Sequence, residues 1–477
     1  MTGGGDSIDT AVIALTLLME DQSDPQDLAE ILLAADEMKL RSYCINTPPV
    51  LIADQVSSLP WDEVWFVLRH ATPETRAEIF SHFAPDIQLD LVEILSREDL
   101  ISLFTHMSPD DRADLYKQLP EERGESILPA LAQAEREDIR RLTAYEEGTA
   151  GAAMTSDYVT LPPNLTALQA IDHLRVVAPD KETIYYAYVV DQQRRLMGFV
   201  SLKDLILAPR DRVVEQIMKL EVVYAVVDDD QEHAARKIQK FDLLALPVVD
   251  HSEALVGIIT HDDAIDIITQ EQTEDMEKLM AISGRHEARA YMRTSVWEHF
   301  RNRAVWVAGL AILGLVSGFI VQSFEGFLIQ FAIFAAFMPM LADTGGNTGS
   351  QSASLVIRAL ALNEIKPRDA LRVVMKEVGV GIFLGMLLAL LAFGRVMLMG
   401  GGSTIPEDVR LIQVAIAIAT ALGIQVVSAT TIGALLPLTV ARFNRDPALI
   451  ASPALTTIVD ITGLLIYFYT ARFMLGL

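Results

Sequence analysis

A chain of 477 residues with 51% hydrophobic residues and a mean hydropathy of +0.30 has room for several domains and is too apolar to be soluble throughout. Its formal charge of −26 is uneven: through Met292 there are 25 basic and 54 acidic residues, net −29, whereas from Arg293 onward 13 basic residues face 10 acidic ones, net +3. So acidic a soluble part excludes nucleic acid, whose phosphates need Lys and Arg, and suits the binding of cations.

Cys44 is the sole cysteine, so no intrachain disulfide or thiolate metal cluster is possible, and a cytosolic setting is expected for the soluble part. The N-terminus has no basic stretch before its short apolar run, and a cleaved signal peptide is not expected. Residues 1–30 carry no clear motif and read as a poorly defined tail. From 31 to 140 the chain reads as a helical domain. Within it, six short units begin at Pro60, Pro73, Pro85, Arg97, Pro109 and Pro120. Most open on Ser, Thr or Pro followed by acids, as a helix N-terminus requires, and then carry large apolar residues at helical spacing. Such units predict a small solenoid of stacked short helices.

Residues 141–270 contain a longer duplication. Val190, Asp191, Gly198 and Asp204 recur as Val249, Asp250, Gly257 and Asp263, all at one offset of 59 residues. Each copy opens on a Met and a β-run (Met154, Met218) and continues through a helix, two strands and a second helix. This β-α-β-β-α order resembles a tandem pair of CBS domains. The resemblance implies an adenine-nucleotide cleft, with Asp204 and Asp263 placed to meet ribose and Tyr186 to meet a base. Lys203 stands where an Arg would fork a phosphate better.

Residues 271–300 are polar, free of Pro and expected to form a connecting helix that reaches a membrane interface near Trp297. Five apolar stretches follow, about 304–323, 327–344, 377–399, 411–439 and 448–475, each long enough to cross a bilayer. Ten Lys and Arg lie on the side of residues 293–303, 358–376 and 442–445, against Arg395, Arg410 and Arg472 on the other. The positive-inside rule then puts the N-terminal domains in the cytosol and the C-terminus outside. Five spans make no even inverted repeat, so a pore is expected from a homodimer. Gly314/Gly318 and Gly381/Gly385 have the spacing of close helix packing.

Two membrane segments break the apolar pattern. PMLADTGGNTGSQSASLVIR sets Asp343, Asn347 and Gln351 among small residues, with Gly345, Gly349 and Ala353 every fourth position. The last span buries Asp460, with Pro453, Thr456, Thr457 and Gly463 near one helical face. A carboxylate at that depth needs water, a cation or a partner such as Arg358.

These two segments, in the order helical repeats, CBS pair, connecting helix and five spans, resemble the MgtE family of magnesium channels and transporters over the whole chain after about residue 30. The resemblance implies a homodimer in lipid with its pore on the two-fold axis, Asp460 as the Mg²⁺ site, and Asn347, Gly345, Gly346, Pro453, Thr456 and Thr457 along the wall. It also implies a cytosolic Mg²⁺ sensor that shuts the pore, made of Asp242, Asp263, Asp266, Glu271, Glu274, Asp275 and Asp446, with Asp110 and Asp114 contributing from the helical domain. ATP or another adenine nucleotide is the implied regulator. Competing readings are a proton- or Na⁺-coupled transporter of Mn²⁺, Co²⁺ or Ca²⁺, and a membrane protein that senses nucleotide. An intramembrane metalloprotease is excluded, because all nine histidines precede the first span and HEARA at His286 lacks the second His.

Overall fold

The computed structural model describes residues 28, 31–32, 36–178, 181–280, 282, 294–362, 364–399, 405–406, 409–443, 446–447 and 452–477. Nearly all of the tail, and residues 283–293 of the expected connecting helix, lie outside them. The chain divides into two compact units, with the boundary after Glu271.

The first unit opens with nine helices among the described residues: α1 Glu37–Asn46, α2 Pro49–Val56, α3 Trp61–Leu68, α4 Pro73–Ser81, α5 Pro85–Ile94, α6 Arg97–His106, α7 Pro109–Gln118, α8 Glu121–Ile127 and α9 Gln133–Leu142. The repeat starts read from sequence are their first turns. Thr72 and Ser96 cap α4 and α6 by accepting from the backbone N–H of Thr75 and Asp99, while Pro73, Pro85 and Pro109 occupy first helical positions that need no donor. A second regularity escaped the sequence reading. Three residues after Pro73, Pro85, Pro109 and Pro120 stand Arg76, Gln88, Arg112 and Arg123, and each donates to carbonyls at the end of another helix. Arg76 reaches Leu68, Arg69 and Ala71, and Gln88 reaches Phe80, Ser81 and Phe83. Carbonyls left over at the ends of α3, α4, α5 and α6 are thus satisfied by a side chain from a later helix of the stack. Leu40, Ile52, Leu68, Phe80 and Phe104 form one continuous core beneath.

The duplication folds as two three-stranded sheets of one design. Strands β1 Val159–Leu161, β2 Tyr186–Val190 and β3 Leu196–Ser201 come with helices α10 Ala167–Val177 and α11 Leu202–Leu207. Strands β4 Ala225–Val226, β5 Ala245–Val249 and β6 Leu255–Thr260 come with α12 Gln231–Phe241 and α13 His261–Leu279. In both, the first strand pairs parallel with the second, which pairs antiparallel with the third, and Val189 opposite Gly198 repeats as Val248 opposite Gly257. The repeated Met and Gly answer one another across the copies. A Cβ on Gly198 would lie 2.6 Å from the Lys219 carbonyl and 3.2 Å from Met218, and one on Gly257 would overlap Met154 and come 2.9 Å from the Thr155 carbonyl. Each copy therefore receives the opening segment of the other through backbone pairing, Phe199 with Lys219 and Thr155 with Ile258.

The second unit holds α14 Val296–Ser323, α15 Glu325–Gln330, α16 Ala332–Ala335, α17 Met338–Ala361, α18 Ala370–Met399, α19 Leu411–Arg442 and α20 Ser452–Leu475. Four of these, α14, α18, α19 and α20, are long and apolar enough to cross a membrane. The expected stretch 327–344 is not one helix. It breaks at Phe331 (φ −125°, ψ 65°) and again at Phe337, where α17 begins and then runs 24 residues, roughly 36 Å at 1.5 Å per residue. The polar motif therefore sits inside a helix, not at the end of one. Asp343, Asn347 and Gln351, with many Gly, Ser and Thr, make α17 more polar than those four. Helix α19 is central, with α17, α18 and α20 packed on it. Gly349 and Gly433 bring α17 and α19 into backbone contact, and Gly385 meets Gly423 at 2.8 Å between α18 and α19, measured from a notional Cβ. Gly381 packs as expected against Val427 and Thr430, whereas Gly314 and Gly318 on α14 have nothing within 4 Å.

Candidate functional site

In the second unit Asp460 is the ninth residue of α20. Oδ1 of this carboxylate is buried without a hydrogen-bond partner. No Lys or Arg among the described residues pairs with it, so the structural alternative of a bridge to Arg358 is not realised. The carboxylate lines a cavity of about 160 Å³ together with Ser317, Leu341, Gln425 and Gly463. Gln425, in the middle of α19 and 1% exposed, escaped the sequence reading; the available signal was an amide set well inside a mostly apolar helix, whereas Gln413 sits at its start.

The expected wall residues divide by role. Asn347 is exposed on α17 and donates to Asp343 Oδ1 at 3.1 Å. Gly345 and Gly346 are buried in helix contacts: a Cβ on the first would overlap the Gln425 amide, and one on the second would lie 2.7 Å from Thr456. Pro453, Thr456 and Thr457 are half-buried on α20, where the Thr457 hydroxyl donates to the Pro453 carbonyl at 3.0 Å. These glycines shape the region by letting α17 and α20 approach, and their small size is spent on packing.

In the first unit, α7 packs beside the start of α13, with Ala113 sharing a core with Ala264 and Ile267. That contact gathers acids from distant parts of the sequence. Asp110 has a buried Oδ1 without a hydrogen-bond partner, and its carboxyl is held well above the usual range by burial and then by Asp111, Asp263 and Glu182. Asp263 is pushed up to about 6, mainly by burial and, among charges, by Asp262 and Asp111, against hydrogen bonds from Thr260 that hold it down. Asp266 and Glu182 rise for the same reasons, burial before charge. Glu182 is a member that the sequence reading missed, because it precedes β2 without a motif of its own.

Other sensor candidates lie elsewhere. Asp114 is exposed and 3.4 Å from Lys117. Asp242 is exposed and ends α12 in the left-handed conformation (φ 50°), a C-cap geometry that Asp tolerates. Glu271 accepts a hydrogen bond from Gln231 at 2.7 Å. In the second unit Lys278 bridges Glu274 at 2.7 Å and Asp446 at 3.4 Å, while Asp275 is half-buried on α13. Asp263, Asp266, Glu271, Glu274 and Asp275 all belong to α13, so the last CBS helix and the start of the connecting helix are one element. Among the described residues no three Asp, Glu, His or Cys side chains converge tightly enough to grip a metal ion directly.

Of the expected nucleotide residues, Asp263 belongs to the acid cluster, while Asp204 and Tyr186 each have a partner in the first CBS copy. Asp204 accepts from the Ser201 hydroxyl at 2.6 Å, which holds its carboxyl below the usual range, and Lys219 lies 3.7 Å away. Tyr186 meets the edge of Phe199 at 5.4 Å, and Lys219 stands 5.6 Å over the same ring. Lys203 is exposed on α11.

Comparison with known proteins agrees with this order of parts. Family models match at residues 47–148 (MgtE intracellular N domain), 150–211 and 214–270 (CBS domain) and 338–470 (MgtE, divalent cation transporter). The chain is 42% identical over 335 residues to the magnesium transporter MgtE of Thermus thermophilus, 70% of this chain and 72% of that protein. The chain belongs to the MgtE family. As a member it is a membrane transporter of divalent cations and not an enzyme. The MgtE magnesium transporter of Bacillus subtilis is 35% identical over 69% of this chain and 70% of its own length. A crystal structure of the cytosolic domain of the Mg²⁺ channel MgtE in complex with ATP aligns with 51% of this chain and 100% of that one, at 35% identity and a TM-score of 0.49.

Proposed function

We propose that this MgtE-family protein carries Mg²⁺ across the cell membrane as a homodimer, with Asp460 as the cation site of the pathway and the cytosolic acids as a Mg²⁺ sensor that closes it. Asp460 carries the reading: an acid with a buried oxygen and no protein partner, on a membrane helix, is costly unless a cation or water completes it. Beside it, Ser317, Gln425, Ala342 and Gly463 share the cavity with apolar Met338, Leu341 and Leu464, and the polar members suit a Mg²⁺ ion that keeps part of its water shell. In this reading α17 adds a crossing to the four apolar helices, second in chain order, and the distribution of Lys and Arg supports a cytosolic first unit and an outside C-terminus.

The sensor consists of α7 and α13, whose acids repel one another and crowd at one contact. Mg²⁺ between them relieves that repulsion and favours the compact arrangement. It shifts the gate only because it binds that arrangement more tightly. Asp242 and Asp114, both exposed, stand at the margin of this sensor. A nucleotide at Tyr186, Lys203 and Asp204 is a further regulator, supported by the carboxylate, aromatic rings and Lys219 gathered there. An ATP-induced rise in thermal midpoint that persists in Asp204→Ala would remove that assignment.

Asp460→Ala is expected to abolish Mg²⁺ uptake into proteoliposomes while the protein still elutes as a folded dimer; undiminished flux in that variant would sink the pathway assignment. Running the wild-type assay with Mn²⁺, Co²⁺ and Ca²⁺, with and without a pH gradient, separates the Mg²⁺ reading from a coupled transporter of another ion.

A further inference from the structure

Gln425 is a neutral amide in the middle of the most buried membrane helix, 1% exposed, where an amide without full hydrogen bonding is expensive. Its surroundings are cut to receive it. The Gly345 position on α17 has no room for a Cβ beside the Gln425 amide, and one on Gly463 of α20 would lie 3.1 Å from it. Nε2 donates to the Leu341 carbonyl at 3.3 Å, and Oε1 has no hydrogen-bond partner. Both Gln425 and Asp460, whose Oδ1 is likewise unpartnered, line the cavity of about 160 Å³. Two buried acceptors with nothing to accept from thus belong to residues that line one cavity with room for several waters.

We propose that Gln425 is a cation-positioning residue: its amide oxygen and the Asp460 carboxylate together accept hydrogen bonds from the water shell of the transported ion. The inference rests on Asp460 being the cation site. The chemistry follows from the donors involved. Mg²⁺ dehydrates reluctantly, so what it presents to the protein is O–H groups, and these need acceptors held at fixed positions. One acceptor is charged and supplies attraction. The other is neutral and pinned by its own Nε2 on Leu341, and it orients the shell without adding a second charge that would slow release.

The test is Mg²⁺ flux as a function of concentration in proteoliposomes of the full chain, for Gln425→Met, Gln425→Glu and Asp460→Ala. Met keeps the length of the side chain and removes the amide. Its half-saturation should rise about tenfold, the loss of about 1.4 kcal/mol of binding, and by more than the maximal rate falls. Glu keeps the shape and adds charge, so half-saturation should drop. Should Gln425→Met fail to reconstitute, the Glu variant decides. Loss of flux in Asp460→Ala with wild-type half-saturation in the Gln425 variants would show the amide to be helix packing only and overturn the proposal. Wild-type flux in Asp460→Ala would overturn the pathway reading and this inference with it.

Discussion

At the scale of single residues, burial and like charge hold several carboxyls of the first unit above the ordinary range. Asp110 and Asp263 are held above the ordinary carboxylate range, Asp263 at about 6 against 3.8 for an unperturbed Asp. A folded-state value above the unfolded one means that the protonated acid is favoured by folding. The stability this gives is complete below about pH 4 and is lost as pH rises through about 6 and beyond for Asp110. At about 1.4 kcal/mol per unit, Asp263 contributes a difference on the order of 3 kcal/mol. In the absence of divalent ions the thermal midpoint of the protein should therefore fall between pH 5 and pH 8. Asp110→Asn should raise the midpoint at pH 8 by several degrees and leave that at pH 5 nearly unchanged, and saturating Mg²⁺ should narrow the gap between the two proteins. Circular dichroism melts at the two pH values check this; equal shifts at both would assign the effect to something other than ionisation.

At the scale of elements, α13 joins two roles that look separate in sequence. The His-Asp-Asp start of the helix reads as the end of a CBS copy and Glu271 to Asp275 as a connecting segment, yet His261–Leu279 is continuous. Nothing interrupts it: no Pro or Gly lies between His261 and Leu279, and acids favour its first turn. Asp263, Asp266, Glu271, Glu274 and Asp275 therefore lie on one helix, which the proposed sensor would use as a unit. Neutralising all five should leave transport active at internal Mg²⁺ concentrations that stop the wild-type protein. Flux measured at clamped internal Mg²⁺ decides this, and unchanged closure would place the sensor on other residues. Helix α17 carries the opposite lesson. Its apolar start suggested a span ending near 344, but the two breaks at Phe331 and Phe337 move the helix along the chain and put the polar motif at its heart.

For the whole molecule, charge and hydropathy along the chain already separated an acidic soluble part from a nearly neutral membrane part, because solvation acts on composition before any fold exists. Local rules went further. Helix starts at Pro73, Pro85, Arg97 and Pro109 were legible because caps and first-turn residues act on their immediate neighbours. The duplicated sheets were legible because one offset matched four residues at once. What sequence did not disclose were meetings between residues far apart in the chain: Arg123 reaching the carbonyls of Val92 and Leu95, Gly198 facing Met218, Glu182 joining Asp110 and Asp263, and Gln425 wedged between Gly345 and Gly463. Their spacing obeys no helical or strand period. By itself the sequence determined the order of parts, the acid in the last membrane helix and the sign of the cytosolic surface. Only the tertiary structure decided which acids crowd together and which polar groups stay unsatisfied, since burial and proximity, unlike propensity, are properties of packed elements.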